Sequence, residues 1–95
     1  MKGNKYSDII TANEYSDFDL MVDFKTTVDA NSGIKYFFTD YEKGGKLGME
    51  YQIIDDQVNI DAKEGINGNR KTGSFYDVLP ASSDKNLNPP GHWNT

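Results

Sequence analysis

Cysteine is missing from all 95 residues, which excludes a disulfide framework and any thiolate metal site. Histidine occurs once, at His92, so a multi-histidine metal centre within the chain is also excluded and only a carboxylate-rich one stays open. Basic side chains are few: 10 against 15 acidic, a formal charge of −5. Nucleic acid and anionic membrane surfaces are held by basic patches, so this balance argues against both as partners. No apolar run is long enough to span a bilayer, and no signal-peptide core follows Met1. Hydrophobic residues make up only 36% of the chain, low for a self-sufficient core. The length suffices for one small domain.

What is present is a set of strand patterns. Residues 48–56 are the organising stretch. Met49, Tyr51 and Ile53 alternate with Glu50 and Gln52, the period of two that marks a strand with one face in a core. The other face presents a carboxylate and an amide about 7 Å apart along the strand, either a solvated outer surface or the floor of a polar groove. In residues 15–25 Phe18, Leu20, Val22 and Phe24 alternate with Asp17, Asp19, Asp23 and Lys25, which predicts a second strand. Residues 29–33 read as a turn in which Gly33 supplies a positive φ. They feed a strand over 34–38, with Phe37 on the face opposite Ile34, Tyr36 and Phe38.

The remaining segments are punctuated by turns. Ile9 and Ile10 suggest a brief edge strand, and residues 40–48 a glycine-rich loop. Residues 61–72 form a long polar loop of the kind that often carries function. A short strand follows over 73–79, ended by Pro80, then a second loop with Pro89-Pro90-Gly91 as a rigid turn. The chain stops at the start of another strand, with Trp93 expected to be buried. No helix is expected. The pattern is all-β, a sandwich or jelly roll, read as one partial domain over residues 1–95 whose C-terminal strands lie beyond Thr95.

Several residues could carry chemistry. Glu50-x-Gln52-x-x-Asp55 loosely resembles the carboxylate strand of family 16 glycoside hydrolases, which needs two carboxyl groups about 5–10 Å apart. In an unbroken strand Glu50 and Asp55 point to opposite faces and lie about 16 Å apart, so ordinary two-carboxylate hydrolysis is disfavoured. His92, the one histidine, is a candidate general acid or base or simply a surface residue. Tyr76 and Trp93 could stack on a sugar or fill a core. Asn31 could shape a ligand site or a turn, and Asp55, Asp56 and Asp61 lack the spacing of a calcium loop.

Five stretches taken together carry a resemblance: Glu14-Tyr15-Ser16-Asp17-Phe18-Asp19-Leu20, Asn31-Ser32-Gly33-Ile34, Glu50-Tyr51-Gln52-Ile53-Ile54-Asp55, Thr72-Gly73-Ser74-Phe75-Tyr76-Asp77 and Pro90-Gly91-His92-Trp93-Asn94. In order and spacing they resemble the 3-keto-disaccharide hydrolase domain family, whose fold is a concanavalin-like jelly roll. One position departs: the residue before the tryptophan is usually Glu in the family and is His92 here.

The resemblance implies cleavage of 3-keto-glycosides by removal of the carbon 2 proton and loss of the aglycone from carbon 1. A non-catalytic carbohydrate-binding module on the same fold is the alternative. On the first reading Glu50 is the leading catalytic carboxylate, with Asp55 and His92 behind it, and Gln52, Asn31, Tyr76 and Trp93 line the sugar site. The expected partner is a small sugar, with no nucleic acid, no transmembrane segment and no cofactor or metal. The resemblance also implies a periplasmic or secreted protein.

Overall fold

Strands form where the period-two pattern meets a partner, and fail where it does not. The computed structural model describes residues 9–40 and 46–95. Within them lie β1 (Phe24–Lys25), β2 (Asn31–Asp40), β3 (Lys46–Ile54), a five-residue helix α1 (Ile60–Glu64) and β4 (Trp93–Asn94). β2 and β3 form an antiparallel hairpin and β1 pairs with β4, giving two two-stranded sheets. The fold is all-β apart from α1. No helix among the described residues is long and apolar enough to cross a membrane.

Several expectations are corrected. Only Phe24–Lys25 of the 15–25 pattern is a strand, paired with Asn94 and Trp93. Phe18 and Leu20 are 45% and 58% exposed, and among the described residues no strand pairs with them. Ile9 and Ile10 form no strand and are exposed. The central part of the 40–48 loop, residues 41–45, lies outside the described residues.

The turn expected at 29–33 lies earlier in the chain. It closes with Ala30 N–H donating to Thr27 O at 3.2 Å, and Asp29 takes φ 65°, a region Asp tolerates better than most residues. Asn31, Ser32 and Gly33 are already in β2.

The hairpin carries one irregularity. Its register runs from Asn31↔Ile54 to Tyr36↔Met49, then shifts between Tyr36 and Thr39. Phe37 sits in that bulge with φ 51°, which turns its ring to meet Phe18 at 5.7 Å and Tyr36 at 5.8 Å between centroids. Phe37 therefore joins the side of Ile34 and Tyr36 rather than the opposite face. Gly48 accommodates the bulge: a Cβ there would lie 2.6 Å from Phe38 Cβ.

Helix α1 breaks the expected loop. Asn59 caps it, its Oδ1 accepting from Asp61 N at 2.9 Å, while Asn59 Nδ2 donates to Asp29 O at 2.9 Å. One side chain thus starts the helix and fastens it to the 27–30 turn. Residues 73–76 then run antiparallel along the outer edge of β3, as irregular backbone with a bridge between Tyr51 and Phe75 instead of the full strand expected over 73–79. The departure at Phe75 comes from a tight turn, in which Val78 N and Leu79 N both donate to Phe75 O and Asp77 takes φ 63°.

Candidate functional site

Gln52 lies at the centre of a polar face that three chain segments build. The register places Asn31, Gly33 and Lys35 of β2 opposite Ile54, Gln52 and Glu50 of β3, and period-two alternation puts all six on one side. On the other edge of β3, Gln52 N donates to Ser74 O at 3.1 Å and Tyr76 N to Glu50 O at 3.0 Å. Ser74 and Tyr76 therefore flank Gln52 and Glu50 on that same side. The sequence assigned the core to the Met49–Tyr51–Ile53 face. Instead Met49 and Tyr51 are 41% and 43% exposed, whereas Gln52 is 0% exposed. The 59–72 segment lies over the Gln52 end of the polar face and covers it.

Only the nitrogen of the buried Gln52 amide is paired. Its Nε2 donates to Asn31 Oδ1 at 3.4 Å and to Arg70 O at 3.3 Å. Gln52 Oε1 and Ser74 Oγ are buried without a partner among the described residues, a cost that a purely structural face would be expected to avoid. Beyond this covered end, Glu50 is half-buried and Lys35 and Gly33 are exposed. Gly33 has a clear reason to be glycine: a Cβ there would sit 2.8 Å from both Cγ and Cδ of Glu50. The Glu50 side chain lies across the bare backbone of the neighbouring strand.

Beside this face stands a charged cluster that sequence reasoning missed. Arg70 forks onto Asp77, with Nε to Oδ1 at 2.7 Å and Nη2 to Oδ2 at 3.2 Å, and its Nη1 donates to Asp61 Oδ1 at 2.9 Å. Tyr76 O–H donates to the other oxygen of Asp61 at 2.8 Å. Burial first, then the hydrogen bond to Asp61, pushes the Tyr76 phenol up to about 12. The Arg70 guanidinium holds the Asp77 carboxyl below the usual carboxylate range. A sequence signal did exist: Arg70 is the single arginine among ten basic residues, and arginine is the residue suited to forking two carboxylates.

The remaining candidates are placed elsewhere. Asp55 is buried and its carboxylate is engaged by backbone: Oδ2 accepts from Asp29 N at 2.9 Å, and Oδ1 from Gln57 N at 3.1 Å and Val58 N at 3.3 Å. Asp56 accepts from Lys85 Nζ and from Thr72 N. With Asp61 held by Arg70 and Tyr76, the three aspartates weighed for calcium point to separate partners. No group of three or more candidate metal ligands occurs among the described residues. His92 is exposed in the turn after Pro89, its N–H donating to Pro89 O at 3.2 Å. Trp93 is 61% exposed rather than buried, with Lys25 Nζ 5.1 Å from its ring centroid. The described contacts of both belong to the β1–β4 ribbon and its adjoining loop. The structure thus brings together Glu50, Gln52, Asn31 and Tyr76, and leaves Asp55, His92 and Trp93 outside the group.

Asp55 makes a measurable prediction. Its three backbone donors, that of Asp29 foremost, lower its pKa below the ordinary value. The resulting stability is fully present above the unfolded-state pKa and is lost as pH falls through the lower folded-state value. Urea midpoints followed from neutral into acid pH should fall steeply in that window for the natural chain. Asp55→Asn should be less stable at neutral pH and flatter through the same window.

A cavity of about 750 Å³ opens on the opposite side of the hairpin, lined by Phe18, Leu20, Phe24, Ile34, Tyr36 and Tyr51 among others. Its walls are mostly apolar, with Ser16, Asp17 and Thr95 among the exceptions, so it offers a sugar fewer hydrogen-bond partners than the polar face does.

Comparison with known proteins points to one family. The model of the 3-keto-alpha-glucoside-1,2-lyase-like domain matches residues 1–95. A curated 3-keto-disaccharide hydrolase from Bacteroides thetaiotaomicron is 34% identical over 98 aligned residues, covering 92% of this chain and 33% of that protein. The chain therefore spans about a third of the length of that relative.

Proposed function

The chain belongs to the 3-keto-alpha-glucoside-1,2-lyase-like family, and from that premise we propose that it supplies the polar face on which a 3-keto-glycoside is cleaved. The observation that carries this reading is the placement of Glu50. Its half-buried carboxylate lies over Gly33, opposite Lys35 and one strand from Tyr76.

The chemistry follows from the keto group. A carbonyl at carbon 3 makes the proton on carbon 2 acidic, since the electron pair left behind is delocalised as an enolate. Glu50 takes that proton, and the Lys35 ammonium on the same face stabilises the enolate oxygen. The enolate oxygen then re-forms the carbonyl at carbon 3, the electron pair it displaces makes the single bond between carbons 1 and 2 a double bond, and the bond from carbon 1 to the aglycone oxygen breaks, with that oxygen taking up a proton. Water adds back, hydroxyl to carbon 1 and hydrogen to carbon 2, so the net reaction is hydrolysis to the 3-keto sugar. A single base beside an acceptor and a cation meets this need; two carboxylates at glycosidase spacing are not required. Asp55, His92 and Trp93 have no part in the steps proposed.

The test is incubation of the protein with a 3-keto-disaccharide in heavy water. Release of reducing sugar with deuterium at carbon 2 of the product is the expected result. Cleavage without deuterium at carbon 2 would overturn the elimination route. Saturable binding without cleavage would establish a carbohydrate-binding module instead.

A further inference from the structure

The proton of Tyr76 has a fixed destination. The hydroxyl donates to Asp61 Oδ2 at 2.8 Å, and Asp61 cannot readily turn away because Arg70 Nη1 holds its other oxygen at 2.9 Å. Arg70 is itself fixed by its fork onto Asp77, and its carbonyl is tied to the buried Gln52 amide. The guanidinium carbon stands 5.4 Å from the centroid of the Tyr76 ring and closes the arrangement from above. A phenol that has committed its single proton has only lone pairs left to offer a ligand. It can accept from a hydroxyl and cannot bind a carbonyl oxygen.

The position of Tyr76 gives this selectivity a use. Tyr76 N donates to Glu50 O at 3.0 Å, so the two residues are cross-strand neighbours on the polar face. Such neighbours have Cβ atoms about 4.5–5.5 Å apart, within the span of one sugar ring. We propose that Tyr76 is a specificity-determining acceptor that reads a sugar hydroxyl on carbon 4 or carbon 6, with Asp61 and Arg70 as positioning residues that keep it acceptor-only. The inference rests on the cleavage reading above and adds the orientation of the ring to it. With Glu50 at carbon 2, the keto oxygen faces away from Tyr76, and a donor hydroxyl faces it. A ring bound the other way round would set two acceptors against each other.

Fluorine can accept weakly but cannot donate, so deoxyfluoro sugars isolate the donor. Initial rates are measured for a 3-keto-disaccharide and for its 4-deoxy-4-fluoro and 6-deoxy-6-fluoro analogues, using the natural protein, Tyr76→Phe and Asp61→Asn. The expected result is that one analogue loses about tenfold in kcat/KM with the natural protein, mainly through KM, the size of one lost hydrogen bond. Tyr76→Phe should treat that analogue and the parent sugar alike. Asp61→Asn should narrow the discrimination, because an asparagine amide can donate to the phenol oxygen and turn the hydroxyl outward.

Cleavage of the parent sugar with no discrimination against either fluoro analogue overturns this inference and leaves the cleavage reading intact. So does a Tyr76→Phe effect equal on all three sugars. No cleavage of the parent sugar overturns both. The comparison made with the natural protein stands even if a variant fails to fold, which thermal melts would reveal.

Discussion

Glu50→Gln is expected to lower turnover of a 3-keto-disaccharide by about 10²–10⁴-fold, the usual contribution of a positioned general base. The amide has the shape of the carboxylate and keeps its place across Gly33, and the backbone bond from Tyr76 N to Glu50 O does not involve the side chain. Folding and sugar binding should therefore survive while proton abstraction fails. Two readouts are needed: kcat from reducing-sugar release, and the rate at which solvent deuterium enters carbon 2. Both should fall together, because Glu50 is assigned to the step that breaks that bond. An unchanged kcat would remove Glu50 from the chemistry. Gly33→Ala is a useful companion, since it leaves the carboxylate present but forces a methyl group into the space its Cγ and Cδ occupy. Turnover should drop there too, with the acid group chemically intact.

The largest stability effect is expected at Thr72, a buried residue with no assigned role in catalysis. Its Oγ1 accepts from Ile54 N at 2.9 Å and donates to Ile54 O at 2.7 Å, satisfying both backbone groups of the residue that ends β3. Thr72 N in turn donates to Asp56 Oδ1 at 2.7 Å, and Lys85 Nζ donates to Thr72 O at 2.7 Å. Thr72→Val keeps the shape and removes the hydroxyl, so a buried donor and a buried acceptor lose their partner. At about 1–3 kcal/mol for each of the two unsatisfied groups, the cost is about 2–6 kcal/mol, a large share of the about 5–15 kcal/mol that holds a typical domain folded. Urea denaturation would show a lower midpoint at an unchanged slope. Thr72→Ser, which keeps the hydroxyl, should recover most of the loss. An unchanged midpoint in Thr72→Val would show that the hydroxyl's two bonds to Ile54 do not hold this loop to β3.

Parts of this arrangement were legible in the amino-acid sequence because they depend on local periodicity. Alternation over 48–54 placed Glu50 and Gln52 on one face, and the hairpin keeps them there. Tyr76 was singled out as a sugar contact and does lie beside Glu50. The pattern over 18–24 was as regular and yet formed little strand, because alternation states which side chains share a face and not whether a partner strand exists. Gly33 was read as a turn glycine. Its reason for being glycine lies 17 positions away, in the path of the Glu50 side chain.

The sequence by itself determined that this is an all-β chain of a recognisable family, with a carboxylate and an amide side by side on its central strand. It determined also that these 95 residues hold no thiolate site and no multi-histidine site of their own. Only the tertiary structure decided which face of that strand is covered, that Gln52 is buried, and that Arg70 locks Asp61, Asp77 and Tyr76 into one unit. The physical reason is that residues 59–76 carry no hydrophobic period of their own. Their course is set by hydrogen bonds to distant partners: Asn59 to the 27–30 turn, Thr72 to Ile54, Tyr76 to Glu50. Such bonds join groups that every residue or many residues possess, so nothing in the local sequence marks which of them will meet.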